Sequence, residues 1–116
     1  MTLLSSLFGA KAQQSDAFTL LNVSEFNQAT RKKNVQLVDV RTAGEFNAGA
    51  IKNAVNIDFF QKENFKSAFS KLDKEKPVYV YCRSGNRSRK AAARIEKMGF
   101  KKIYDLQGGY MIWLHK

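Results

Sequence analysis

Strands alternating with helices predict a three-layer α/β/α domain with a central, mostly parallel sheet of about five strands. Three observations carry that prediction. β-Branched and aromatic stretches recur along the chain, each separated from the next by a helical pattern or a turn. The runs at 35–40 (VQLVDV) and 78–81 (VYVY) are apolar at nearly every position, as strands covered on both faces are. At 116 residues with 44% hydrophobic content, the chain has enough apolar material for one core of this kind.

The elements follow in order. A polar stretch at 10–16 (AKAQQSD) separates an N-terminal tail, 1–17, from a folded unit expected over 18–116. The tail is expected to be flexible or docked at the periphery; its apolar run is short and lacks a basic flank, so it matches an export signal poorly. Residues 18–23 (FTLLNV) form a first strand, and Ser24 offers an N-cap for a helix running towards Lys32. The second strand is 35–40, followed by one helical turn at 42–47 and a short strand around 54–57. Phe60, Phe65, Phe69 and Leu72 set an apolar stripe on a helix expected over 60–71. Pro77 closes that segment and 78–81 supplies a central strand. Alanines and long side chains at 88–98 predict a helix stopped by Gly99. A last strand lies around Ile103, and Tyr110 to Leu114 make a final helical turn after Gly108 and Gly109, with Trp113 in the core.

Composition narrows the function classes. Twenty Lys and Arg against ten Asp and Glu give a net charge of +10, which favours anionic substrates or acidic partners. No nucleic-acid recognition motif accompanies that charge, and neither a dinucleotide fingerprint nor a phosphate-binding P-loop is present. No run is long enough to span a membrane. The single cysteine forms no intramolecular disulfide and no zinc set, so no metal or other cofactor is expected and a reducing, cytoplasmic setting is, with export the lesser alternative.

That cysteine, Cys82, stands at the carboxyl end of the 78–81 strand, where open α/β sheets place their ligands. The residues after it, Arg83, Ser84, Gly85, Asn86 and Arg87, contain types that tolerate unusual backbone angles and lead into a helix at Ser88. Successive N–H groups in such a turn form a nest for an anion. A thiol placed there is favoured as the thiolate, and Arg83 and Arg87 add positive charge nearby. The one histidine, His115, is next to last and poorly placed to serve as the base of a Cys–His pair. A thiolate without a general base suits attack on the outer sulfur of thiosulfate or on the phosphorus of a phosphate monoester.

The stretch Cys82-Arg83-Ser84-Gly85-Asn86-Arg87-Ser88 resembles the active-site loop of single-domain rhodaneses, the thiosulfate or persulfide sulfurtransferases. Leu37-Val38-Asp39-Val40-Arg41 with Glu45-Phe46 resembles that family's first motif, the segment from Gly49 to Ile57 its second, and Gly108-Gly109-Tyr110 with Trp113 its closing motif. The resemblance implies a sulfurtransferase in which Cys82 carries a persulfide held by loop amides. Arg83 and Arg87 would attract a small anionic donor. Ser84, Gly85, Asn86 and Ser88 would act through backbone N–H groups and loop shape, with Ser88 also capping the helix. The acceptor would be cyanide, a thiol or a thioredoxin-like protein. Asp39 and Arg41 are expected to brace the sheet end as an ion pair, and Glu45 to partner a nearby cation.

Related phosphatases and arsenate reductases of the same fold carry one more residue between Cys and Arg. Here four residues separate Cys82 from Arg87, and Ser88 occupies the position that would complete a C-x5-R signature. The tighter loop suits sulfur. The second motif usually reads Gly-His-Ile-Pro-Gly-Ala, whereas Ala50 replaces the histidine in this chain. Two other functions stay in competition: a sulfur-relay or binding module serving a protein partner, and a phosphatase.

Overall fold

In the computed structural model, which describes residues 15–116, five strands form one sheet in the order β1-β5-β4-β2-β3. The strands are β1 (Phe18–Leu21), β2 (Gln36–Asp39), β3 (Val55–Asn56), β4 (Val78–Tyr81) and β5 (Ile103–Leu106), and all four pairings are parallel. Helices α1 (Val23–Thr30), α2 (Ala43–Asn47), α3 (Lys62–Ser70), α4 (Asn86–Lys97) and α5 (Gly109–Trp113) alternate with them. Two clusters of buried side chains make the three layers. Phe65 and Phe69 of α3 and Ala91, Ala92 and Ile95 of α4 pack with Val38, Val78, Val80 and Ile103 on one face. Phe26 of α1 packs with Leu37, Tyr81 and Leu106 on the other, with Tyr110 and Trp113 of α5 against them. Burial on both faces explains why β2 and β4 read as continuous apolar runs.

Several boundaries differ from the sequence expectation for identifiable reasons. Asn22, not Ser24, caps α1: its side chain accepts from the Glu25 N–H while the Glu25 carboxylate accepts from the Asn22 N–H, a reciprocal box that starts the helix early. That helix ends at Thr30 rather than Lys32. Phe60 falls outside α3 and is 59% exposed, so the apolar stripe reduces to Phe65 and Phe69 in the helix with Leu72 packed just beyond it. Trp113 is half-buried rather than fully in the core, set edge-on to Phe26. Residues 1–14 of the expected tail lie outside the described residues. Ser15 and Ala17 engage the domain: the Ser15 hydroxyl donates to Glu96 and the Ile103 N–H donates to the Ala17 carbonyl.

Parallel register sends the carboxyl ends of all five strands to one edge. The segments following β2, β4 and β5 meet there. Asp39 and Arg41 form the ion pair that braces this edge: the buried guanidinium contacts the carboxylate at 2.6 Å, and Arg41 also donates to the Gly49 carbonyl and lies 4.3 Å from the Tyr110 ring centroid. On the same edge the Ile51 N–H donates to the Tyr81 hydroxyl, whose burial pushes its pKa well above the usual phenol range. Among the described residues, no helix is long and apolar enough to cross a membrane.

Candidate active site

Cys82 follows β4 directly and is 1% exposed. The chain then turns through Gly85, whose φ of 112° lies in the left-handed region, and enters α4 at Asn86. A Cβ at Gly85 would meet nothing within 4 Å, so the backbone angle, not space, requires glycine there. This turn directs the Gly85 N–H at the Cys82 sulfur, 3.1 Å away. An amide donor in that position favours negative charge on sulfur. Arg83, Ser84 and Asn86 are exposed around the loop, Gly85 and Arg87 half-buried, and Ser88 fully buried.

Ser88 does not cap the helix. The glycine turn starts α4 at Asn86, so Gly85 is the capping position and Ser88 sits in the third helical place, its hydroxyl donating to the Gly85 carbonyl at 3.3 Å. It braces the loop from beneath.

Arg87 reaches across to α2. Its guanidinium grips the Glu45 carboxylate through two hydrogen bonds of 2.8 and 3.0 Å, a fork-to-fork geometry. Thr42 and Glu45 form their own capping box at the start of α2, which fixes the carboxylate. Arg87 therefore holds Glu45 well below the usual carboxylate range, at about 2, with smaller help from Thr42. Glu45 in turn keeps Arg87 more firmly protonated than usual, against partial burial, and negative charge on Cys82 acts in the same direction. Arg83, by contrast, forms no ion pair among the described residues.

The segment after β5 clamps the other side of the loop. The N–H groups of Tyr110 and Met111 donate to the carbonyls of Cys82 and Arg83, at 2.8 and 3.0 Å. Such close approach requires Gly109: its φ is 64°, and a Cβ would stand 2.5 Å from the Arg83 oxygen and 2.7 Å from the Cys82 oxygen. The sequence marks Gly108-Gly109-Tyr110 only as a motif; its purpose is this backbone-to-backbone contact.

One group in this region was not singled out by sequence. Asp105 of β5 is completely buried, and neither carboxylate oxygen has a hydrogen-bond partner among the described residues. Burial pushes its pKa up to about 7, against weaker opposing pulls from the Ser88 hydroxyl, the Arg89 charge and the Leu106 amide. The available signal is the lone acid in the apolar strand IYDL.

Comparisons with known proteins agree with this architecture. Residues 22–116 match the family model of the Rhodanese-like domain. The thiosulfate sulfurtransferase GlpE of Shewanella oneidensis is 35% identical over 97 residues, covering 84% of this chain and 93% of that protein. The tRNA uridine(34) hydroxylase of Pelagibacter ubique is 34% identical over 94 residues, 81% of this chain, but the match spans only 31% of the hydroxylase. A crystal structure of a rhodanese-like domain protein from Staphylococcus aureus superimposes with a TM-score of 0.71 at 29% identity, covering 82% of this chain and 90% of that one. The chain belongs to the rhodanese-like domain family, and its match along nearly the whole of a sulfurtransferase makes it a rhodanese-type sulfurtransferase.

Proposed function

We propose that this member of the rhodanese-like family moves sulfane sulfur from thiosulfate, or a related anionic donor, to a thiophilic acceptor through a Cys82 persulfide. The observation that carries the reading is the Gly85 N–H, 3.1 Å from the Cys82 sulfur in a loop with four residues between Cys82 and Arg87. The thiolate attacks the outer sulfur of thiosulfate. A new sulfur–sulfur bond forms, the original one breaks, and sulfite leaves with its electron pair. The loop amides hold the persulfide anion as an oxyanion hole holds oxygen. Cyanide or a thiolate then attacks the terminal sulfur and returns Cys82 to the thiolate.

The two arginines divide the work. Arg83, exposed and outside any ion pair among the described residues, attracts the donor. Arg87, neutralised in part by Glu45, fixes the loop and adds a weaker field at sulfur. The reaction needs a reduced thiol, which suits the cytoplasm.

Incubation with thiosulfate in the absence of reductant should make the protein one sulfur atom heavier, with the addition on Cys82 and removable by cyanide. Cys82→Ser should gain nothing. A wild-type protein that stays at its original mass with thiosulfate and polysulfide alike would defeat the reading.

A relay serving a protein acceptor is favoured by a separate observation. Met111 and Ile112 of α5 are exposed beside the loop that α5 clamps, and Phe60 is exposed next to Arg87. Apolar side chains interleaved with arginine suit an acidic, thioredoxin-like protein that presents a thiol. Sulfur transfer to a reduced thioredoxin much faster than to cyanide would support the relay; equal rates would leave the small-molecule reaction as the function.

A further inference from the structure

Asp105 is a buried titratable group that neither the sulfur-transfer steps nor an ion pair uses. It lies on β5, paired with Val80 of β4 on one side and Leu20 of β1 on the other. Neither neighbour carries charge. From the layer above, the Ser88 hydroxyl and the Arg89 charge of α4 pull weakly on it, and the Leu106 amide acts on it from its own strand.

The placement of Asp105 relative to Cys82 follows from strand geometry. Side chains two residues apart along a strand share a face, so Cys82 projects on the same side as Val80, and Asp105 on the same side as Ile103. Val80, Cys82 and Ile103 all belong to the cluster on the α3 and α4 face. Crossing one strand and moving two residues along separates Asp105 from Cys82 by roughly 8 Å between Cα atoms. Between them stands a short chain of groups. Ser88 donates to the Gly85 carbonyl, and the Gly85 N–H donates to the Cys82 sulfur.

A serine hydroxyl has one proton and two lone pairs. With Asp105 protonated, the carboxyl carries no charge, and the Ser88 proton is free to stay on the Gly85 carbonyl, as in this structure. With Asp105 ionised, the carboxylate competes for that proton and places a negative charge beneath a loop built to hold another. A buried carboxylate with no hydrogen-bond partner among the described residues is a poor structural element, which makes a purely packing role an incomplete account.

We propose that Asp105 is a positioning residue for Cys82: acting through Ser88 and Gly85, its protonation state sets how strongly the loop favours negative charge on sulfur. The inference rests on Cys82 being the reactive group of the proposed function. Neutral Asp105 gives the competent loop. Ionised Asp105 raises the energy of both the thiolate and the persulfide.

The test is the pH dependence of Cys82 alkylation by iodoacetamide, followed by intact mass on the full chain for wild type, Asp105→Asn and Ser88→Ala, with circular dichroism to verify folding. Wild type should show an inflection near pH 7 superimposed on the thiolate's own titration. Asp105→Asn should lose that inflection and react about three- to tenfold faster above it, the size expected for one charge at this separation in a partly screened interior. Ser88→Ala should leave a smaller inflection, moved to higher pH, because the hydroxyl both carries the coupling to the loop and favours the carboxylate. Superimposable profiles for wild type and Asp105→Asn would overturn the proposal, as would an unmoved inflection in Ser88→Ala. If Asp105→Asn does not fold, the Ser88→Ala displacement alone decides. Alkylation reads the thiolate rather than sulfur transfer. A protein that forms no persulfide with any donor would therefore end the proposed function while these profiles still judge Asp105, and unchanged profiles with persulfide formation intact would end the Asp105 proposal alone.

Discussion

Two carboxylates flank the Cys82 loop, and the fold treats them in opposite ways. On the outer side, Glu45 of α2 lies half-buried in a two-bond grip with Arg87 and is held at about 2. On the inner side, Asp105 of β5 is completely buried without a hydrogen-bond partner among the described residues and is pushed to about 7. The same functional group is thus a permanent anion in one wall and a titrating acid in the other. An ionised partner with matching geometry outweighs the modest desolvation of Glu45, whereas the neighbours of Asp105 do not offset its full removal from water. The outer wall fixes where the loop stands; the inner wall is the one able to change charge near neutral pH.

The largest effect should come from breaking the scaffold that both walls share. Gly109→Ala requires a Cβ 2.5 Å from the Arg83 oxygen at a φ of 64°, and should destabilise the domain by about 3 kcal/mol or more in urea unfolding. In the fraction that remains folded, persulfide formation should fall steeply, since the Tyr110 and Met111 amides no longer reach the loop carbonyls.

The inner wall should reveal itself in stability against pH. A carboxyl raised in the folded state leaves the native protein binding more protons than the unfolded chain, so its contribution to stability is full below the unfolded value of 3.8 and declines as pH rises to about 7. Asp105→Asn removes that decline. Its advantage over wild type, measured by denaturant titration, should therefore grow by roughly 2–4 kcal/mol between pH 4 and pH 8. An advantage independent of pH would mean that Asp105 does not titrate in this interval.

The outer wall should show the opposite sign and a smaller size. Glu45 contributes stability above its unfolded value of 4.5 that is lost as pH falls towards 2. Because the pair is partly exposed, Glu45→Gln should cost only about 1 kcal/mol at pH 7, and the difference from wild type should fade below pH 4. Arg87, released, should let the loop wander, with a several-fold rise in KM for the donor. The smallest structural effect belongs to Arg83→Ala: stability within about 0.5 kcal/mol of wild type, with the change confined to the on-rate for anionic donors and its salt dependence.

Much of the fold is legible in the order of the amino acids. Alternation of apolar runs and helical patterns determined a parallel α/β domain, because strands buried on both faces must be apolar at successive positions and β2 and β4 are. Cys82, the glycine after it and the spacing to Arg87 are local features of one continuous stretch, so the loop and its place at a strand end could be read directly. Boundaries slipped where a capping side chain outcompeted a neighbour, as Asn22 did Ser24, and where the Gly85 turn started α4 early enough to make Ser88 an interior brace.

What the tertiary structure alone decided is which distant residues complete the loop. Glu45 stands 42 positions from Arg87, and nothing in sequence separates that partner from any of the other acids available to it. Asp105 becomes exceptional only because the order β1-β5-β4-β2-β3 sets β5 beside β4 and beneath α4, burying a carboxyl among groups that do not satisfy it. Local chemistry is carried by neighbours along the chain. The charge that surrounds it is set by neighbours across the sheet, and those are fixed only when the chain has packed.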